Sequence, residues 1–161
     1  MKQFFPFLTA EESSWLRCLK SVSLFSRLSG GELRQIESLM HERTYEAGET
    51  VFEEEEEGLG LYVVMTGCVA VSKVCAGERK ELTRLGPRSF FGELALLDGV
   101  VRSARVHAIE QTTLIGFFRP EFLGLMKTNR SLAAKVSFEL ARHLALLLRQ
   151  AGEQANPAVY L

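Results

Sequence analysis

The middle of the chain, from Arg43 to Phe118, alternates short runs rich in Val, Thr, Phe and Tyr with single glycines. The glycines that separate these runs are Gly48, Gly58, Gly67, Gly77 and Gly86. Many short strands with glycine turns between them are typical of an antiparallel sheet that closes on itself. We therefore predict an α+β fold, an antiparallel β-barrel or jelly roll (double-stranded β-helix) flanked by N-terminal helices and a long C-terminal helix.

Two capping-box patterns mark helix starts ahead of the strands. In a capping box, a hydroxyl at the N-cap and a glutamate three residues later accept hydrogen bonds from each other's backbone N–H groups. The pairs, with the helices they predict, are Thr9 with Glu12 for a helix through about Lys20, and Ser29 with Glu32 for Gly31 to Met40. Residues 1–20 are therefore predicted to form an N-terminal helical extension.

The segment after the strands is predicted to be helical. Pro120 with Glu121 opens a short helix, and Asn129 can cap a long one that runs to about Ala151. The long helix carries apolar residues at three- and four-residue steps, namely Leu132, Val136, Leu140, Leu144, Leu147 and Leu148. Such a stripe buries one face of a helix. The stripe either packs only on the barrel, or it also closes over a pocket or pairs with a second copy.

The run FGELALLDGVVRSA, Phe91 to Ala104, has the features of a sugar-phosphate site. Gly92 lets the backbone approach a ligand, and the helix formers after it direct free N–H groups back towards it, which attracts an anion. Arg102 follows with a planar fork that suits phosphate oxygens. Glu93 would repel a phosphate unless it faced hydroxyl groups, such as a ribose 2′-OH. Taken singly, Glu93 is also explained as a helix-dipole acid and Arg102 as a surface cation.

The same run resembles the phosphate-binding cassette of cyclic nucleotide-binding domains, which catabolite activator-type regulators, kinase regulatory subunits and gated channels share. Three further segments are similar to the family's opening helix, first strands and central hairpin: LFSRLSGGELRQI (Leu24 to Ile36), YEAGETVF (Tyr45 to Phe52) and LYVVMTGCVAV (Leu61 to Val71). The resemblance covers roughly residues 20–150. We assign residues 21–151 to this domain, including its C-terminal helix, and residues 152–161 to a short tail.

The resemblance implies a role for each cassette residue. Glu93 would bind the ribose 2′-OH, and Arg102 would bind the exocyclic phosphate oxygens. The other implied contacts around ribose and phosphate are Gly92, Leu94, Ala95, Ser103 and Ala104. Arg142 and His143 on the long helix are candidates for contacts with the base. Ser103 is compatible with cAMP and with cGMP, and we favour cAMP.

The sequence departs from the family's pattern at two single positions and two dipeptides. Val101 stands where the family usually has Pro, and Leu59 stands where Asp is common. Glu55-Glu56 and Arg88-Ser89 each replace a Gly-Asp pair. Because glycine is favoured where a turn needs positive φ, we expect these two turns to be reshaped. None of the departures removes an implied ligand contact.

Composition excludes several classes of function. Nineteen basic and twenty acidic residues leave a net charge of −1, which gives no basic footprint for nucleic acid or an anionic membrane. The three cysteines are odd in number and lack C-x-x-C spacing, which indicates reduced thiols and a cytoplasmic location. The apolar N-terminal FFPFL is too short for a signal peptide or a membrane span.

Catalysis and DNA binding are not expected either. His41, His107 and His143 are isolated, so no metal site is predicted, and no nucleophile-elbow or P-loop motif occurs. The residues after Ala151 are too few for the winged helix-turn-helix with which relatives read DNA. We predict neither an enzyme nor a cofactor, and we expect a stand-alone sensor.

Two functions remain after these exclusions. The first is a cyclic nucleotide sensor whose C-terminal helix moves on binding and signals to an unknown protein effector or to a second subunit in a homodimer. The alternative is a degenerate fold that serves as a ligand-independent dimerisation or scaffold module. The run Glu53 to Glu57 is either a solvated loop or a docking surface for a basic partner.

Overall fold

Eight strands and five α-helices make up the described part of the chain, residues 14–155, in a computed structural model. The strands are β1 (His41–Tyr45), β2 (Thr50–Phe52), β3 (Gly60–Thr66), β4 (Val69–Cys75), β5 (Glu78–Leu85), β6 (Phe90–Phe91), β7 (Arg105–Ala108) and β8 (Thr112–Phe118). The helices are α1 (Ser14–Ser21), α2 (Gly30–Glu37), α3 (Glu93–Asp98), α4 (Arg119–Thr128) and α5 (Arg130–Ala155), with a 3-10 turn at Ser23–Phe25.

The strands form two four-stranded antiparallel sheets, in the orders β1-β8-β3-β6 and β2-β7-β4-β5. Strands distant in sequence are neighbours, as where His41 of β1 lies opposite Gly116 of β8. The chain therefore alternates between the two sheets, which is the arrangement of a jelly roll. The predicted α+β jelly roll with helices before and after it is confirmed.

Strand β3 has apolar residues on both faces because it lies between two cores. Leu61 and Val63 pack against the helices, together with buried residues of α1, α2, α4 and α5. Val64 and the half-buried Tyr62 face the other way, into the space between the two sheets. The continuous apolar run of this strand follows from burial on both sides.

The start of α2 is capped as predicted. Ser29 Oγ accepts a hydrogen bond of 3.3 Å from the Glu32 N–H, and the Glu32 carboxylate accepts one of 2.8 Å from the Ser29 N–H. The helix ends at Glu37 rather than at the predicted Met40. The capping box predicted at Thr9 lies outside the described residues.

The helices after the strands also begin where the sequence indicates. Pro120 lies in the first turn of α4, and Asn129 Oδ1 accepts a hydrogen bond of 3.2 Å from the Leu132 N–H at the start of α5. The predicted apolar stripe of α5 is buried only as far as Leu140, whereas Leu148 is 62% exposed. The second half of α5 therefore extends beyond the core. No helix within residues 14–155 is long and apolar enough to cross a membrane.

Three turns use left-handed residues other than glycine. Ala76, with φ 52°, precedes Gly77, with φ 84°, at the predicted tip of the β4–β5 hairpin. Glu55 has φ 69° and Arg88 has φ 74°. These are the two departures where we expect reshaping, yet each turn keeps the left-handed conformation that a glycine would adopt. Glu55 and Arg88 therefore adopt a backbone conformation that is strained for residues other than glycine.

Candidate ligand-binding site

A cavity of about 290 Å³ lies between the strands and the segment that connects β6 to β7. Its size is close to that of small-molecule sites, which begin at about 300 Å³. Phe52, Val71 and Val106 line it from the strands. The connecting segment lines it with all seven residues that the resemblance implies for ribose and phosphate, namely Gly92, Glu93, Leu94, Ala95, Arg102, Ser103 and Ala104. The structure thus gathers these residues around one space.

Gly92 is required where the connecting segment begins. It has φ 78°, and a Cβ added there would lie 2.6 Å from Arg102 Nη1 and 3.0 Å from the Gly60 carbonyl oxygen. Helix α3 follows at once and ends at Asp98; the next residue, Gly99, has φ 67° and donates from its N–H to the Ala95 carbonyl over 3.1 Å. The helix formers that follow Gly92 in the sequence therefore do form a short helix.

Arg102 is buried, with 5% of its surface exposed, and it makes no ion pair with any residue between 14 and 155. Its Nη1 donates to the Gly92 carbonyl over 3.2 Å, while Nε has no acceptor in the part of the chain that the structure describes. Burial lowers the pKa of Arg102 from its usual value, although nearby Glu56 and Glu93 act in the opposite direction. A guanidinium remains charged at neutral pH, so this one presents an unneutralised positive charge to the cavity.

The backbone of Arg102 is held by the acidic run. Its N–H donates to the Glu56 carbonyl over 2.7 Å, and the Glu55 N–H donates to the Arg102 carbonyl over 2.8 Å. These reciprocal hydrogen bonds join two segments that lie far apart in the sequence. They fix the point from which the guanidinium enters the cavity. No local sequence pattern predicts these hydrogen bonds.

The side chains of the acidic run are also partly tied to the barrel. Glu53 Oε1 lies 3.1 Å from Arg105 Nε, and its Oε2 lies 3.9 Å from Arg79 Nη2. Glu54 accepts a hydrogen bond of 3.1 Å from the Val74 N–H. These contacts leave less of the run available for a basic partner than its five consecutive charges indicate.

Glu93 pairs with α5. Its Oε1 lies 3.3 Å from His143 Nε2, and the His143 ring packs 4.7 Å from the ring of Phe90. The side chains of Glu93 and His143 are 14% and 28% exposed. Phe90 and His143 thus bring α5 against the start of the cassette.

The two predicted base contacts do not line the first cavity. Arg142 and His143 instead line a second cavity of about 430 Å³ between α5 and the 3-10 turn. Arg142 pairs there with Glu139, at 3.2 Å. The structure therefore brings together the residues predicted for ribose and phosphate. The two residues predicted for the base line a different cavity, although His143 contacts Glu93 in the wall of the first.

The described residues carry no group of three or more His, Cys, Asp or Glu side chains that could hold a metal ion. The cavity of the jelly roll contains a buried guanidinium that has no ion pair within residues 14–155, which is the chemistry of a site for a small anionic ligand. Glu93 at the same cavity adds an acceptor for hydroxyl groups.

Comparison with known proteins gives the family of the domain. A family model for the cyclic nucleotide-binding domain matches residues 42–129. The cyclic AMP receptor protein of Thermus thermophilus is 34% identical over 127 residues, which are 78% of this chain and 59% of that protein. A cAMP-dependent protein kinase regulatory subunit of Mycosarcoma maydis is 35% identical over 94 residues, which are 58% of this chain and 18% of that protein.

Solved structures give the same result. The crystal structure of the Thermus thermophilus catabolite activator protein has a TM-score of 0.76 and 33% identity, and the match covers 83% of this chain and 62% of that chain. The regulatory domain of Toxoplasma gondii PKA, crystallised with cAMP, has a TM-score of 0.66 and 30% identity, over 72% of this chain and 44% of that chain. The chain belongs to the cyclic nucleotide-binding domain family. It spans less than two thirds of the length of each of these relatives.

Proposed function

We propose that the protein is a non-catalytic cyclic nucleotide sensor in which the ligand binds in the cavity between the strands and the segment that connects β6 to β7. The observation that carries the proposal is the buried guanidinium of Arg102, which has no ion pair among the described residues. A buried cation without a partner is costly, and an anionic ligand removes that cost on binding. This role explains why the chain keeps an arginine at a buried position.

The cyclic phosphate would lie against Arg102, and the ribose would lie at Glu93. One carboxylate oxygen of Glu93 is engaged by His143, which leaves the other to accept a hydrogen bond from a ribose hydroxyl. Close approach of the sugar is allowed by Gly92, which has no Cβ. Leu94, Ala95, Ser103 and Ala104 would contact the same ligand from the cavity wall.

We favour cAMP over cGMP as the ligand. Apart from Asp98, whose carboxylate accepts a hydrogen bond from the Val100 N–H, the remaining residues of the cavity wall are apolar, among them Val71, Val101 and Val106. An apolar wall leaves the extra hydrogen-bonding groups of guanine without partners, which disfavours guanine more than adenine. Two of the relatives reported above carry cAMP in their names, and a solved relative was crystallised with it.

The nucleotide signal would leave the site through α5. Glu93 contacts both the proposed ribose position and His143, so a ligand that redirects the carboxylate changes the contact that holds α5. A ligand shifts the position of the helix only if it binds more tightly to the protein in one of the two positions than in the other. We propose that α5 moves on binding and changes the surface offered to a protein effector or a second subunit.

The exposed end of α5 supports a homodimer. Leu146, Leu147 and Leu148 are 54%, 42% and 62% exposed. Exposed apolar patches mark contact surfaces in soluble proteins, and a second copy of α5 would cover them. A cytoplasmic location is proposed from the free cysteines Cys18, Cys68 and Cys75, which fit a reducing compartment.

Two variants and two ligands test the site. Arg102→Ala should weaken binding of cAMP and of 2′-deoxy-cAMP alike, by at least about 30-fold, because the phosphate loses its buried partner. Glu93→Ala should bind both ligands equally, whereas the wild-type chain should prefer cAMP. Unchanged affinity in Arg102→Ala would show that the phosphate does not lie at this residue. If the wild-type chain binds no cyclic nucleotide, the scaffold alternative replaces the proposal.

A further inference from the structure

Three aromatic rings pack together beside Arg102 at the cavity. Phe52 on β2 lies 6.1 Å from Tyr62 on β3 and 5.9 Å from Phe91 on β6, measured between ring centroids. Tyr62 and Phe91 stack at 5.6 Å. Phe52 is 8% exposed, so its ring is held in place by the other two and by the barrel core.

The Arg102 guanidinium lies over this cluster. Its central carbon is 4.0 Å from the Phe52 ring centroid and 5.8 Å from that of Tyr62. A cation within about 6 Å of an aromatic face is attracted by the ring quadrupole, and the attraction is stronger away from water. Phe52 is thus the closer of the two aromatic partners of this charge.

Glu56 and Glu93 lie near Arg102, but neither forms an ion pair with it within residues 14–155. Glu93 instead pairs with His143 at 3.3 Å. A carboxylate against Arg102 would neutralise the charge and compete with a phosphate for the same N–H donors. An aromatic face attracts the cation without accepting those donors in the plane of the guanidinium. The Nε donor of Arg102 has no acceptor among the described residues, in agreement with such an arrangement.

We infer that Phe52 is a positioning residue, which holds the Arg102 guanidinium inside the cavity with its charge free for an anionic ligand. The identity of the ligand in this inference rests on the proposed function. The positioning itself rests on the contact between the Phe52 ring and the Arg102 guanidinium. Holding the guanidinium in place raises affinity, because a ligand binds in proportion to the fraction of molecules that are ready to receive it.

Fluorination of Phe52 tests the contact without any ligand. Fluorine atoms weaken the ring quadrupole and leave the shape of the ring nearly unchanged. Site-specific replacement of Phe52 by trifluorophenylalanine should lower Tm by about 2–4 °C in the Arg102 chain. The same replacement in an Arg102→Met background should leave Tm unchanged, because the cation is gone. Equal shifts in both backgrounds would overturn the inference, whether or not the protein binds a nucleotide.

Titration with cAMP tests the consequence for binding. The affinity should fall with each added fluorine at Phe52, reaching a loss on the order of tenfold with three. Trifluorophenylalanine at Phe117, a fully buried ring that packs on Phe122, is the control and should leave the affinity unchanged. The positioning role would be overturned if fluorination of Phe52 lowered Tm only in the Arg102 chain and yet left the affinity for cAMP unchanged. Absence of cAMP binding in the wild-type chain would instead overturn the proposed function. The Tm measurement would still show whether the Phe52 ring attracts the Arg102 guanidinium.

Discussion

His143 Nε2 on α5 lies 3.3 Å from Glu93 Oε1 at the start of α3, although the two residues are fifty positions apart in the chain. The contact joins the residue that we assign to the ribose to the helix that we expect to move. Because both side chains are largely buried, the contact is less screened by solvent than a pair on the surface.

Removing His143 should raise the affinity for cAMP. The ligand and His143 share the Glu93 carboxylate, and coupling between two such contacts acts equally in both directions. A contact worth about 0.2–1 kcal/mol corresponds to a gain of up to about fivefold in His143→Ala. Arg149→Ala, which removes a cation further along α5, is the control and should titrate like the wild-type chain. Equal or weaker binding in His143→Ala would contradict the proposed link.

The left-handed Glu55 should be replaceable by glycine with a gain in stability. A left-handed residue other than glycine is strained, and Glu55→Gly should raise the free energy of unfolding by about 0.5–1 kcal/mol. Glu57→Gly in the same loop, where φ is not positive, should lower it by a similar amount. Urea unfolding measures both values, and a loss of stability in Glu55→Gly would show that its backbone is not strained.

Gly58 should not tolerate a side chain. A Cβ at this position would lie 2.3 Å from the Val100 carbonyl oxygen and 2.4 Å from Ala95 Cβ, both on the cassette. We expect Gly58→Ala to lower the free energy of unfolding by about 1–3 kcal/mol and to weaken cAMP binding, since the cassette must shift. Gly86→Ala is the matched control because open space surrounds Gly86. Similar stability and affinity in the two variants would refute the close packing at Gly58.

The exposed end of α5 should form the dimer contact. Light scattering should give twice the mass of one chain for the wild-type protein, and Leu148→Glu should give the mass of a single chain. Gln150→Glu adds the same charge to an exposed neighbour and should remain dimeric. A wild-type protein with the mass of one chain would remove the dimer from the proposal.

The fold and the cassette could be predicted because their signals are local. Glycines at Gly77, Gly92 and Gly99 lie where the backbone turns to positive φ, and the capping residues Ser29 and Asn129 lie at the starts of α2 and α5. Each of these features depends on a few neighbouring residues. They are therefore visible in the sequence before the chain is folded.

The environment of the site could not be predicted in the same way. Taken singly, Arg102 is explained in the sequence as a surface cation, whereas its burial depends on Phe52 and on the backbone of Glu56, which approach only in the folded chain. The pairing of Glu93 with His143 is likewise long-range. The stripe on α5 appears continuous to Leu148, but burial stops at Leu140 because the core ends there.

The most direct test of the account is isothermal titration of the purified, nucleotide-stripped protein with cAMP and with cGMP at matched salt. We predict micromolar or tighter binding of cAMP, weaker binding of cGMP, and loss of both in Arg102→Ala. Tighter binding of cGMP than of cAMP would change the proposed ligand to cGMP, while the cavity would remain the proposed binding site. Binding of neither nucleotide would contradict the central claim that this cavity is a cyclic nucleotide site.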